Sequence, residues 1–403
     1  MAIIPLLTVE ARIKRKLRLH LRQLGFIHAK NGTLTPPSNS KDAFRSLHCM
    51  QRQEKLEQER SFFDQYAGTL LNHFADGAEI DPAKIQPILL EVKAHTHESN
   101  LFRFASLTWS VPVSNGYGRR MRFLVWDTGH NRLMGIMALG DPVYNLRVRD
   151  QLIGWTGNDR RHRLVNMMDA YVLGAVPPYN SLLCGKLIAC LVRTQEVKDV
   201  FSKRYRDKCG IISCENKKAR LVAVTTSSAL GRSSVYNRLV LGGEKYFTSI
   251  GYTSGWGHFH IPDDLFNEMR VYLKRAKHPY ANNHKFGSGP NWRLRTIRAV
   301  LNRLGMNSDL LQHGLLREVF FCKLANNAER VLRGQVKRPN FSGLLTVDEV
   351  AQLAKARWIL PRAERIPDYR SWKREGILQK IESAVDANIE LEHLGYPNAI
   401  ASS

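Results

Sequence analysis

Between Arg119 and Arg163 the chain carries nine arginines and no lysine. A guanidinium is planar, permanently charged and forked, so it grips phosphate or carboxylate with paired hydrogen bonds. The segment includes Gly140-Asp141-Pro142-Val143, then Asn145, Arg147, Arg149, Asp150 and Ile153-Gly154-Trp155. Asp141 follows an apolar run, and loops leaving a rigid strand commonly hold the groups that move protons. A plainer reading is open too, in which Asp141 and Asp150 pair with neighbouring arginines and do no chemistry. A second basic stretch, 274–303, holds eight Lys or Arg and no acid. Within it the loop 282–291 (NNHKFGSGPN), with Lys285, leads into Trp292, Arg293, Arg295 and Arg298. Charge, backbone donors and an aromatic ring together suit phosphate contacts with base stacking. A solvated helix face over a buried tryptophan is equally compatible.

Other constellations are incomplete. His258-Phe259-His260 would put two imidazoles on one strand face, and His95-Thr96-His97-Glu98 offers a similar pair. Neither has a second pair at ligand spacing, so no metal is expected. Cys209 and Cys214 are separated by four residues, which fits no zinc knuckle. Asp207 with Glu215-Asn216-Lys217 matches only faintly the acidic pair plus lysine of metal-dependent nucleases. No P-loop, helicase motif or G-x-S-x-G elbow occurs, so nucleotide hydrolysis is not expected of this chain alone.

The elements that must position these residues belong to a chain of 403 residues, 43% of them apolar, which is ample for a core. Disordered, fibrous and small disulfide-stapled classes are excluded. The cysteines (49, 184, 190, 209, 214, 322) form no framework, and reduced thiols in a cytoplasmic protein are the simplest account. The apolar stretch 182–192 is interrupted by Gly185 and Lys186 and is far short of the ~20 residues a membrane span needs. Sixty Lys and Arg against 36 Asp and Glu leave a net charge of +24. That excess points to nucleic acid, or else to acidic sister subunits.

Residues 9–24 read as an amphipathic helix with Ile13, Leu17, Leu21 and Leu24 on one stripe and basic residues elsewhere. A long helix is expected over 41–75 and another from Asp81-Pro82 to about Ala94. Residues 102–109 (FRFASLTW) alternate as a strand would. Residues 121–127 and 132–139 form a hairpin about Thr128-Gly129-His130-Asn131. A short strand at 172–176, a helix over 181–205, a strand at 221–226, a short helix at 233–239 and strand-like spacing over 246–261 follow. Asp263-Asp264 starts a helix to about Lys277, Thr346 and Glu349 make a capping box, and 372–394 is a final helix. The expected organisation is a helical region 1–100, an α/β (α+β) sheet domain 101–265 and a basic helical region 266–403.

The run from Arg119 to Leu191 (RRMRFLVWD…LMGIMALGDPVYNLRVRDQLIGW…RLVNMMDAYVLGAVPPYNSLL) resembles the DruA family of the Druantia anti-phage defence system. The basic first helix and VTTSSALG at 224–231, followed by RSSVYNRL, extend the resemblance over about residues 10–262. It implies a bacterial cytoplasmic protein acting against phage, with sister Druantia subunits, including a very large helicase-like protein, as partners. Taken with the net charge and the two basic segments, nucleic acid, DNA in preference, is the expected ligand, contacted by Arg147, Arg149, Lys285, Trp292, Arg293, Arg295 and Arg298. The order hairpin, strand, long helix, strand, short helix, strand pair also resembles the Gcn5-related acyltransferase fold, a central mixed sheet flanked by helices. That resemblance implies general-acid work for Tyr236, and an enzyme modifying a nucleobase or another acceptor would use Tyr236 or Asp141. The segment from Pro178 to Gly185 lacks the Arg/Gln-x-x-Gly-x-Gly/Ala cradle for a cofactor pyrophosphate, so no cofactor is expected. Catalysis thus stays open, as does a pure assembly scaffold.

Overall fold

Phe123, Leu124 and Val125 are all buried, as is the whole run from Leu133 to Leu139. A strand covered on both faces reads as a continuous apolar run rather than an alternating one. The computed structural model describes residues 7–28, 34–116, 118–210, 214–282 and 290–382. It contains one seven-stranded sheet: β1 (Pro87–Glu91), β2 (Arg120–Asp127), β3 (Arg132–Gly140), β4 (Met167–Ala175), β5 (Ala223–Ser227), β6 (Thr248–Tyr252) and β7 (Glu318–Lys323). The spatial order is β6-β7-β5-β4-β3-β2-β1, with every pairing antiparallel except β4 with β5. The fold is therefore mixed α/β, and the sheet draws β1 and β7 from outside residues 101–265.

The helices include α1 (Val9–Gln23), α2 (Lys41–Leu47), α3 (Cys49–Gln58), α4 (Arg60–Leu70), α5 (His97–Ser106), α6 (Arg147–Ile153), α7 (Cys184–Leu191), α8 (Gln195–Tyr205), α9 (Asp263–Arg275), α10 (Pro290–Arg303), α11 (Val347–Ala354) and α12 (Leu360–Arg365), with shorter ones at Gly157–Arg163 and Ala328–Leu332. On one face of the sheet, Phe123, Val125, Met137 and Met168 pack with Leu187, Leu191, Phe201 and Val350. On the other, Leu124, Ile136 and Ala138 meet Phe102, Phe104 and Ala105 of α5. A separate core joins Ile13, Leu17 and Leu21 of α1 to Leu265, Met269 and Leu273 of α9 and to Ile297 and Leu301 of α10.

Several local expectations change. Residues 102–109 are not a strand: Thr96 caps α5 through the Ser99 amide, and Leu101, Phe102, Phe104 and Ala105 are buried at helical spacing. Asp81 caps only the single turn Pro82–Lys84, after which β1 pairs with β2. The expected helix 41–75 breaks at His48 and Glu59, and that over 181–205 breaks before α8, where the buried Thr194 hydroxyl donates to the Leu191 carbonyl. Residues 258–260 are not a strand, and the final helix starts at 376 rather than 372, with residues beyond 382 outside the described ones.

The β2–β3 turn is tied down by Asp127, which is fully buried. Its Oδ1 accepts from the Gln86 and Gly129 amides at 2.8 and 3.1 Å. Its Oδ2 accepts from His130 Nδ1 at 2.6 Å and the Tyr179 hydroxyl at 2.8 Å. His130 Nε2 accepts from the Asp81 amide, which leaves the proton on Nδ1 for Asp127. Residue 129 must be glycine, because a Cβ there would lie 1.9 Å from the Lys84 carbonyl oxygen.

Candidate functional site

The parallel ladder is short. Met167, Met168 and Asp169 of β4 pair with Ala223, Val224 and Thr225 of β5, and the strands then part. β4 runs on beside β3 as far as Ala175, and β5 beside β7 as far as Ser227. At the parting, the Thr225 hydroxyl donates to Asp169 Oδ1 at 2.7 Å, and the Thr226 hydroxyl to the Ala170 carbonyl at 2.7 Å. Burial pushes the Asp169 carboxyl up to about 6, against the Thr225 bond and the Arg149 charge, which pull it down. Such a carboxyl exchanges protons near neutral pH, as a general base must. Nothing in the spacing of the sequence singled it out, because the parting of two strands 56 residues apart creates its environment.

Tyr236 lies on the other side of the same parting. Its ring packs against Phe247 and Phe320, with centroids 5.0 and 5.1 Å away. Burial pushes its phenol up to about 12, with the Thr226 hydroxyl at hydrogen-bonding reach. It is therefore protonated at neutral pH, as a general acid must be. The turn that carries it is anchored by Glu318, which accepts from the Ser233 amide, the Asn237 amide group and the Ser249 hydroxyl. Asp141 stands elsewhere and is engaged: it accepts from the Arg119 amide at 2.9 Å and Arg119 Nε at 2.7 Å. Asp169, and not Asp141, stands within electrostatic reach of Tyr236.

The arginine segment divides in two. Arg149 is fully buried, donating to Asp150 and to the Val143 and Tyr144 carbonyls, and Arg160 grips the other Asp150 oxygen at 2.7 Å. A phosphate cannot reach Arg149, and its expected contact is corrected to a structural one. Arg147, two positions away on α6, is exposed. The second basic stretch is corrected likewise. Trp292 is buried, its Nε1 donating to the Tyr280 and Asn282 carbonyls, its ring against Phe266, so it stacks on no base. Arg293 is bound to Asp263 at 2.5 Å and to the Ile261 carbonyl at 2.6 Å. Arg295 and Arg298 are exposed, Arg298 lying 5.6 Å from the ring centre of Trp256. Lys285 lies outside the described residues.

The clearest open basic face is on α1. Arg12 and Lys16 pair with Glu268 of α9. Arg15, Arg18 and Arg22 form an exposed stripe at steps of three and four, with Leu19 exposed among them. Among the described residues no group of three or more His, Cys, Asp or Glu is placed to hold a metal ion, and no helix is long and apolar enough to cross a membrane.

Comparison with known proteins adds the family. The model of the family described as Druantia protein DruA matches residues 38–334. The curated Druantia protein DruA of Escherichia coli (strain UMEA 4076-1) is 53% identical over 374 residues, 93% of this chain and 93% of that protein. The chain belongs to the DruA family. The family match takes in α9, α10 and β7, so it runs past residue 262 as far as residue 334. No solved structure matches the chain.

Proposed function

We propose that the protein is a component of a bacterial anti-phage defence system. In this reading it acts in the cytoplasm, binds nucleic acid with DNA favoured, and works beside sister Druantia subunits that include a large helicase-like protein. Membership of the DruA family supports the defence role. The observation that carries the binding is the open stripe Arg15, Arg18 and Arg22, in a chain of net charge +24. Arg147, Arg295 and Arg298 are further exposed basic residues. Fluorescence anisotropy with single- and double-stranded DNA and with RNA, across a salt series, tests this. The Arg15→Gln, Arg18→Gln, Arg22→Gln triple variant is expected to bind duplex DNA more weakly at low salt. Its log–log salt slope should be shallower by about 0.9 for each phosphate that is no longer neutralised. Equal binding at every salt concentration would remove α1 from the interface.

A second reading is favoured by the raised Asp169 carboxyl, which stands within electrostatic reach of the Tyr236 phenol at the parted strands. The succession of hairpin, strand, helices, parallel strand and antiparallel final pair supports a Gcn5-related transferase architecture. There Asp169 would take a proton from an acceptor and Tyr236 would give one to the leaving group. Mass spectrometry of DNA and RNA from expressing cells is expected to show a modified nucleoside that disappears with Asp169→Asn. An unmodified profile, with Tyr236→Phe still defending, would sink this reading.

A further inference from the structure

Beyond the parting of β4 and β5, the chain leaves both strands at their carboxyl ends, the place where parallel sheets most often receive ligands. After β4 it enters the first turn of α7, which carries Gly185 and Lys186. After β5 it reaches the turn Tyr236–Arg238. A third element meets the start of α7 and the loop before it: the π-helical turn Lys355–Ile359 followed by α12. Inserted π turns inside α-helices are frequent at functional sites.

These elements place Arg238, Arg357 and Arg362 within electrostatic reach of Lys186. Lys186 Nζ lies 5.4 Å from the ring centre of Trp358, so the ammonium is held against the π turn. Arg362 Nε donates to the Ser181 carbonyl at 3.0 Å, fastening α12 to the loop before α7. Arg238 and Arg357 are exposed, and nothing stands within 4 Å of where a Gly185 Cβ would be. The mutual placement is fixed from below as well, since Glu318 holds the Arg238 turn through Asn237 and Ser233.

The cluster has no internal counter-charge. Burial, then Arg238, Arg357 and Arg362, pull the Lys186 ammonium below its ordinary value. Among the described residues none of the four is ion-paired with a carboxylate, whereas Arg193 and Arg374 nearby in sequence are. Like charges held side by side repel, and a bound anion is what turns such an arrangement favourable. Three guanidinium groups around one ammonium match the several oxygens of a phosphate better than a single carboxylate.

We propose that Lys186, Arg238, Arg357 and Arg362 form a binding site for a terminal phosphate group, carried by a nucleotide or by the 5′ end of a polynucleotide. The site is distinct from the α1 stripe, and Arg357 and Arg362 lie beyond the span matched by the family model. A single-stranded oligothymidylate bearing a 5′-phosphate is expected to bind about tenfold more tightly than the same strand with a 5′-hydroxyl. Arg238→Gln with Arg357→Gln, both exposed and so harmless to the core, should abolish that difference. The α1 triple variant should weaken both strands and keep the difference, which separates this site from the interface proposed above. Competition by thymidine 5′-monophosphate would assign the site to free nucleotides, and competition only by the phosphorylated strand would assign it to polynucleotide ends. Equal binding of the two strands, with no competition by the mononucleotide or by inorganic pyrophosphate, would overturn the proposal.

Discussion

Acidification from pH 7 to pH 5 is expected to remove on the order of 4 kcal/mol of stability, most of it through three histidines. His48, His260 and His313 are buried around Phe259, with ring centres 4.6 to 5.4 Å from that of the phenylalanine. Burial first, then Arg317 beside His48, the His20 and His258 rings beside His260, and His260 with Arg317 beside His313, hold His48 and His260 down to about 4 and His313 to about 3. His20 and His258 add further positive charge when protonated. The unfolded chain binds these protons below about pH 6.5, whereas the folded chain refuses them until near pH 4. Stability therefore falls as the pH drops through that window, by about 1.4 kcal/mol per pH unit for each histidine. Asp169 works in the opposite direction, since its raised value lets the folded chain take a proton first, and it offsets about 1 kcal/mol.

Urea unfolding at the two pH values measures the loss. His260→Gln, whose amide can still donate to the Leu310 carbonyl that His260 Nε2 meets at 3.0 Å, should reduce the pH dependence by about 2 kcal/mol. Wild-type stability that is equal at pH 5 and pH 7 would mean that these rings already carry their protons in the folded protein.

Asp127→Ala is expected to cost about 4 kcal/mol, because it strands four donors around a buried site. The Tyr179 hydroxyl and His130 Nδ1 lose their acceptor, and so do the Gln86 and Gly129 amides. The damage would reach three segments at once: the residue leading into β1, the β2–β3 turn and the loop after β4. Asp127→Asn should cost about half as much, since one oxygen is kept for the two amides while its NH2 faces the other donors. Denaturant midpoints of the two variants give the comparison. An alanine variant within about 1 kcal/mol of wild type would show that the donors find other partners.

The hairpin was legible because its cause is local: two apolar runs flank a Gly-Asn-containing turn, and Asn131 adopts a left-handed φ of 55°. α1 was legible for the same reason, its stripe Ile13, Leu17 and Leu21 being buried as the spacing implies. So was the capping box, where the Thr346 and Glu349 side chains bond each other's amides. Residues 102–109 misled because Phe102 and Phe104 alternate, while the burial of Leu101 and Ala105, which decides for a helix, depends on the sheet beneath. EVFFCK was hidden in a basic, helical stretch because a strand is completed only by its neighbours β5 and β6.

By itself, then, the chain determined its local elements and its total charge, since capping, periodicity and composition are properties of neighbours in sequence. Only the tertiary structure decided what each charged group does. Arg147 and Arg149 are two positions apart, yet one faces water and the other lies buried beneath Asp150, Tyr144 and Trp155. Asp169 became a proton-exchanging carboxyl only where β4 and β5 part, and Lys186 gained its arginine neighbours from residues more than 50 and 170 positions away. The reason is physical: solvation and partner charges set the behaviour of an ionisable group, and both are supplied by segments that folding alone brings near.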